Sequence, residues 1–400
     1  MNAVMPLDLA SVRDEFPLLQ TKTYLNSCSY GVLSRTVERA FQDYLHTRHT
    51  EGSQWEQWAG QLETLRGALA TLFGCPSADI SISSSLSESV NALASSLDLT
   101  GRRNTIVVTD FDFPTTSQIW LAQQRRGARI VRARADDSGV RIPLDRFDQL
   151  IDDQTRLVSI PWVCYRNGVK LDIEPIIELA HERGAVVLVD AYQAVGTLAV
   201  AAPETGADFL AGGCLKYLLG TAGMAYMYVR DSERRAESPT TTGWFAQDDV
   251  NAMDIYHHRP ARDARRFESG TPNVSAAYVC TAGVQQLLGY GLEAVHARIE
   301  HLTARIAEGV AERGWRLVTP GAAGQHGAMM AIASTDAPAL VRALAADGIV
   351  VSDRDGNIRV SPHFYNNEDD IDTLFRSLQR HAALLPTAEA GRRSGSKRVN

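Results

Sequence analysis

The stretch AVVLVDAYQAVGTLAVAAPETGADFLAGGCLKYLLG, Ala185–Gly220, decides the fold. Its first part is a Val-rich apolar run that ends on the carboxylate of Asp190 and a small-residue turn, the pattern of a buried strand. Asp190 therefore stands at a strand's carboxyl end. A second short apolar run, Ala207–Gly212, ends the same way, and Lys216 follows among Gly212, Gly213, Cys214 and Leu215. A lysine buried in such company has a depressed pKa and becomes a nucleophilic amine. An acid, the amide of Gln193 and a lysine at neighbouring strand ends suit a site that holds a carbonyl compound.

Outward from this stretch the text alternates. Strand-like runs at Asp79–Ser83, Thr105–Thr109, Ala128–Ala133, Thr155–Ile160, Ala185–Val189, Asp208–Ala211 and Met224–Val229 are mostly separated by helical patterns. That argues for an α/β fold with a doubly wound, mostly parallel sheet, whose sites lie at the carboxyl ends of strands. Ahead of it, Ser34 caps a helix from Arg35 toward His49, and a second helix from Trp55 stops before Gly74. Residues 239–272 read as an aromatic loop, and a long helix follows over Ser275–Arg313 with a break at Gly289–Gly291. Short strands at Trp315–Val318, Ala328–Ala333 and Asn357–Val360 then alternate with helices at Pro338–Asp347 and Glu368–Ala383, a smaller C-terminal α+β domain. The expected organisation is an N-terminal segment 1–22 packing on the small domain, a large domain 23–265, a small domain 266–385 and a disordered tail 386–400.

Composition bounds the function. The chain has 400 residues, enough for two cores, with 44% hydrophobic and 22% charged residues and a net charge of -7. The negative balance offers no general attraction to nucleic acid or to an anionic membrane. No apolar run is long enough to span a bilayer, and MNAVMPLDLA lacks the features of a secretory signal, which fits a soluble cytoplasmic protein. The five cysteines, Cys28, Cys75, Cys164, Cys214 and Cys280, form no CxxC pair and read as reduced thiols rather than metal ligands.

Further chemistry falls at the predicted strand ends. In ISSSLSESVNALASSL a strand runs into a helix through hydroxyls, and the helix N-terminus at Ser85, Leu86 and Ser87 can cradle a phosphate or simply be serine-capped. No Walker A loop and no GxGxxG fingerprint is present. In TDFDFPTTSQIW, Phe113 either covers a flat ring or packs in the core. SIPWVCYRNG ends a strand with Tyr165 and Arg166, which can reach phenolate, phosphate or carboxylate. Within NIRVSPHFYNN, Arg359 in an apolar strand needs an anion, either a substrate carboxylate or an internal salt bridge. Together the parts fit pyridoxal 5′-phosphate: Lys216 as the Schiff-base lysine and later the base at Cα, Asp190 on the pyridine nitrogen, Phe113 stacked on the ring, Gln193 at the ring oxygen.

On these residues the chain resembles the fold-type I pyridoxal phosphate enzymes of the class V aminotransferase group, from about Tyr24 to about Leu378. FPTT, VCYRNG, TGWF and RRFESGTP are most similar to kynureninases, isopenicillin N epimerases and carbon–sulfur lyases of cysteine conjugates. The resemblance implies a homodimer with interface active sites, in which Trp244 and the Gly270–Thr271–Pro272 turn reach the neighbouring subunit's phosphate and Tyr256, His257 and His258 enter its pocket. It also implies a substrate pocket lined by Asn26, Cys28, Ser29 and Tyr30. Two departures narrow the activity. Leu215 stands where kynureninases have a phosphate-binding tyrosine and desulfurases a histidine, and SDRDGNIRVSPHFYN has no cysteine where desulfurases carry their persulfide nucleophile. The expected reaction is β-elimination from a cysteine S-conjugate through an external aldimine and an aminoacrylate, with Arg359 and Arg166 on the substrate. Decarboxylating oxidative deamination, transamination and epimerisation are the alternatives.

Overall fold

The computed structural model describes residues 7–388, so the expected tail lies, from residue 389 onward, outside the described residues. In chain order the elements are α1 (Leu9–Asp14), β1 (Thr23–Tyr24), α2 (Arg35–Thr50), α3 (Trp55–Phe73), β2 (Ile80–Ser83), α4 (Leu86–Ser96), β3 (Thr105–Thr109), α5 (Pro114–Ala122), β4 (Arg129–Ala133), α6 (Leu144–Asp148), β5 (Thr155–Pro161) and α7 (Glu174–Glu182). There follow β6 (Val186–Asp190), β7 (Phe209–Gly213), β8 (Ala225–Val229), α8 (Val274–Tyr290), α9 (Leu292–Glu312), β9 (Met330–Ala333), α10 (Ala337–Ala346), β10 (Ile349–Val350), β11 (Ser352–Arg354), β12 (Asn357–Val360) and α11 (Glu368–Arg380). Local chemistry sets the boundaries as expected. The Ser34 hydroxyl accepts from the Val37 N–H at the start of α2, and Gly74 ends α3 in the left-handed region at φ 63°.

Seven strands form the large sheet in the order β2-β8-β7-β6-β5-β3-β4. The β7-β6-β5-β3-β4 block is parallel, as the buried Val-rich runs require, and every residue of β3 is buried. The other edge departs from a purely parallel reading: β8 runs antiparallel to both β7 and β2. The physical reason is that residues 214–224 contain no crossover helix, and a return without one produces an antiparallel neighbour.

The C-terminal part holds a three-stranded antiparallel sheet, β11-β12-β9, while β10 pairs in parallel with β1. The expected strand at Trp315–Val318 is reduced to isolated bridges, Trp315 to Thr387 and Leu317 to Ile332. One core cluster joins Leu25 to residues of α9, α10, α11 and this small sheet. By contrast α8 packs on α2 and α3, against the large sheet's side of the molecule. Arg13 pairs with Asp370 at 2.7 Å, which ties α1 to the start of α11.

A buried ion pair fastens the edge of the large sheet. Arg66 on α3 and Glu268 meet at 2.6 Å with side chains only 3% and 4% exposed. Arg66 also donates to the Ile80 carbonyl at 2.6 Å, and Glu268 accepts from the Ile82 N–H at 2.9 Å, so α3, β2 and the segment before Ser269 share one charge cluster. Removing one partner strands the other charge in the core. Arg66→Met should therefore lower stability by about 3–5 kcal/mol in urea melts, and adding Glu268→Gln should restore part of the loss.

Candidate active site

The ladder register brings the strand ends level. Pro161 at the end of β5 lies opposite Asp190, and Asp190 opposite Ala211 of β7. Lys216 follows β7 in the loop that begins at Cys214. These ends frame a cavity of about 420 Å3 lined by Lys216, Asp190, Gln193, Phe113 and Tyr165, with Ser85, Leu86 and Ser87 at the N-terminus of α4 and Ser29 from the N-terminal segment. Sequence reasoning did not single out several other walls: Ser84, Phe111, Val163, Met224 and Tyr192. Tyr192 was legible only as a large residue between Asp190 and Gln193, because no local pattern shows which way its ring turns.

Electrostatics in the cavity follow from burial. Desolvation raises the Asp190 carboxyl above its ordinary range, against the pull of the Tyr192 N–H, which donates to it at 3.0 Å, and of Lys216. Desolvation likewise lowers Lys216 from 10.5 to about 8, with Cys28 and Asp190 favouring the charged amine and Arg359 opposing it. The amine faces aromatic rings, 4.3 Å from the Tyr192 centroid and 5.9 Å from that of Phe113. Phe113 is fixed at the start of α5, where Pro114 sets the first turn and buried Asp112 accepts from Thr109 and Ser117. Its ring meets Tyr165 edge-on at 4.9 Å.

The loop carrying Lys216 is held from two sides. Gly31 donates its N–H to the Leu215 carbonyl at 2.9 Å, and any Cβ at Gly31 would stand 2.3 Å from the Lys216 carbonyl oxygen. From the other side buried His363 donates from Nε2 to the Tyr217 carbonyl at 2.9 Å while its Nδ1 accepts from Phe364 N–H. Burial lowers this imidazole to about 4, so it stays neutral in that tautomer.

The other candidates stand outside the cavity wall. Arg359, 4% exposed, donates to the Tyr165 carbonyl at 2.9 Å, to Ser29 at 3.2 Å and to Ser352 at 3.0 Å. None of these is an anion, so the internal salt bridge is not formed among the described residues. Asn26 accepts from Ser29 at 2.8 Å, and the Cys28 carbonyl accepts from Gln193 Nε2 at 3.1 Å, leaving Gln193 Oε1 buried without a partner. Arg166 instead pairs with Asp355 at 3.1 Å and donates to the Asp110 carbonyl. Thr271 lines an adjoining recess with Ser84 and Met224. Trp244 packs on Trp55 and Phe245.

A lysine and an aspartate at adjacent strand ends, across a cavity closed by a helix N-terminus, define a cofactor-dependent α/β enzyme. A model of the aminotransferase class-V family matches residues 31–374, and the chain belongs to that family. It is 33% identical over 359 residues to an uncharacterized aminotransferase, YcbU, of Bacillus subtilis, covering 90% of this chain and 94% of that protein. A kynureninase of Deinococcus radiodurans is 31% identical over 86% of this chain and 85% of its own. Among solved structures, an apo cysteine desulfurase from Thermococcus onnurineus superposes with a TM-score of 0.84 at 23% identity, covering 95% of this chain and 99% of that one.

The cofactor of the family site is pyridoxal phosphate, and the residues present fit it. Asp190 is a buried carboxylate with no ion-pair partner among the described residues, suited to a protonated pyridine nitrogen. Ser85 caps the Glu88 N–H, and the N–H groups of Leu86 and Ser87, which have no carbonyl four residues back within α4, suit a phosphate, while Lys216 supplies the amine.

Lys216 also leaves a signature on stability. Below pH 8 the folded protein carries a buried charge. Between about pH 8 and 10.5 the unfolded chain holds a proton that the folded cofactor-free protein does not, so stability rises with pH by up to about 1.4 kcal/mol per unit from this group. Cofactor-free Lys216→Met should therefore be more stable than wild type at pH 7, and its advantage should shrink across that window in urea melts.

Proposed function

We propose that this pyridoxal phosphate enzyme takes a cysteine S-conjugate and cleaves its Cβ–S bond by β-elimination. The observation that carries an amino-acid substrate is Arg359: a buried guanidinium beside the cavity with no anionic partner among the described residues. Burying such a charge unpaired is costly, and a substrate carboxylate supplies the missing anion in a bidentate geometry. When bound, the cofactor supplies an electron sink conjugated to the substrate's Cα.

The chain's own residues do the rest. Lys216 Nζ, whose pKa is lowered to about 8 so that a large fraction is unprotonated near that pH, accepts the Cα proton. Asp190 keeps the ring nitrogen's proton in place, and Gln193 and the N-terminus of α4 orient the ring and phosphate. The Cβ–S bond then breaks with its electron pair on sulfur, and water converts the remaining three-carbon fragment to pyruvate and ammonium. Among the described residues no cysteine lines the cavity, so a departing sulfur meets no protein thiol on its wall and leaves as the free thiol. Leu215, also on the wall, offers no hydrogen bond of the kind a kynureninase-like tyrosine would.

Two copies form the working unit in this reading. Ile255 and Tyr256 are 84% and 85% exposed, and Met253 and Trp55 beside Trp244 are exposed too. An apolar surface of this kind is covered by a partner in a stable assembly.

Incubation with S-aryl and S-alkyl cysteine conjugates should release thiol and pyruvate in equal amounts. Arg359→Gln should raise KM by about 10- to 100-fold with a smaller effect on kcat. Carbon dioxide, a keto acid without thiol, or inverted amino acid as the main product would replace elimination with oxidation, transamination or epimerisation. Separately, wild type should run as a dimer in light scattering and the double variant Ile255→Asp, Tyr256→Asp as a monomer.

A further inference from the structure

Among the described residues the Lys216 amine makes no hydrogen bond and no ion pair. The groups bearing on its charge are Asp190 and Cys28, which favour the ammonium, and Arg359, which opposes it, all at longer range. What the nitrogen meets directly is the face of Tyr192, 4.3 Å from the ring centroid, well inside cation–π range, with Phe113 more distant at 5.9 Å.

The Tyr192 ring is itself held in place. Its backbone N–H is spent on Asp190 at 3.0 Å, so the residue between the acid and the amide is anchored to the acid. Its phenol rests against the backbone of β7 at a site only glycine leaves open: a Cβ on Gly213 would stand 2.3 Å from the hydroxyl oxygen. Burial also raises the phenol's pKa, so the ring stays neutral and presents an undiminished π face rather than a phenolate.

We propose that the face of Tyr192 is the resting place of the Lys216 ammonium, which keeps the protonated amine inside the cavity whenever it is not covalently joined to the cofactor. The proposal rests on the reading that Lys216 is the reactive lysine and deepens it. A base that has just taken the Cα proton is a cation, and among the described residues no acceptor of the cavity wall, the Asp190 carboxylate included, is within hydrogen-bond reach of it. The aromatic face stabilises that charge without forming a salt bridge that would have to be broken before the amine attacks again. Tyr192 thus contacts a reacting atom directly, and Gly213 is the positioning residue that makes room for it.

The test follows the amine rather than turnover. Trace acetylation of the cofactor-free protein from pH 6 to 10, with mass mapping of the Lys216 peptide, titrates this amine alone. Tyr192→Phe keeps the face and should titrate as wild type. Tyr192→Leu removes it and should lower the midpoint by about 0.4–1.5 pH units. Gly213→Ala, which crowds the phenol off its seat, should shift the midpoint in the same direction, and it decides the question if Tyr192→Leu does not fold. Equal midpoints for the Phe and Leu variants, or a Gly213→Ala protein that titrates as wild type, would overturn the proposal. A wrong choice of reactive lysine shows up separately, as borohydride trapping of pyridoxal phosphate on another lysine while these midpoints still shift.

Discussion

The constraint on which the structure depends is the register between β6 and β7. Asp190 faces Ala211 across a parallel ladder, so the strand that ends on a carboxylate stops beside the strand that, after Gly213 two residues on, leads to the lysine. A slip of one residue would turn every side chain of a strand to the opposite face of the sheet and take Asp190 out of the cavity. The register is in turn held by burial, since β6 is covered except at Val186 and β7 is covered throughout. The same apolar packing that stabilises the sheet therefore aims the acid and the amine at one another.

Desolvation is the second consequence of that arrangement. Acid and lysine are both removed from water without forming an ion pair, so the acid is pushed up and the lysine down. Each group is thereby left wanting a partner, which in the proposed reading is a cationic ring nitrogen for Asp190 and a carbonyl carbon for Lys216. Arg359 repeats the logic: its two terminal nitrogens donate to neutral oxygens, while its buried Nε has no partner and no anion is paired with it among the described residues, which is what the proposed substrate carboxylate would supply. Three segments far apart in sequence lock this arrangement: residues near Gly31, the lysine loop, and the SPHFYN run that places His363 against Tyr217.

Much of the site was legible in the sequence because its parts sit where local chemistry is readable. A Val-rich run ending on Asp190, a serine-capped helix at Ser85 and a proline-led helix after Phe113 are each short-range patterns. The antiparallel course of β8 was less visible, because the apolar run Met224–Val229 looks the same in either direction and only the missing crossover helix decides. The small sheet was partly misread for a related reason. Trp315 and Leu317 have strand-like neighbours but find only single bridge partners, while β10 exists as a strand because β1, more than three hundred residues earlier, lies beside it.

The sequence by itself determined the alternation of strands and helices, the carboxylate and lysine at strand ends, the absence of a persulfide cysteine in the C-terminal strand region and the uncompensated look of Arg359. These follow from residue type and short-range periodicity, which one strand or one helix turn suffices to express. Tertiary structure alone decided that Arg166 is spent on Asp355 and the Asp110 carbonyl, that Gln193 already donates to Cys28, and that Tyr192 lies under the lysine. Such partnerships join residues from different segments, and the direction a side chain takes from a strand end is set by what packs around it: here a glycine in the neighbouring strand, whose missing Cβ leaves room for a phenol.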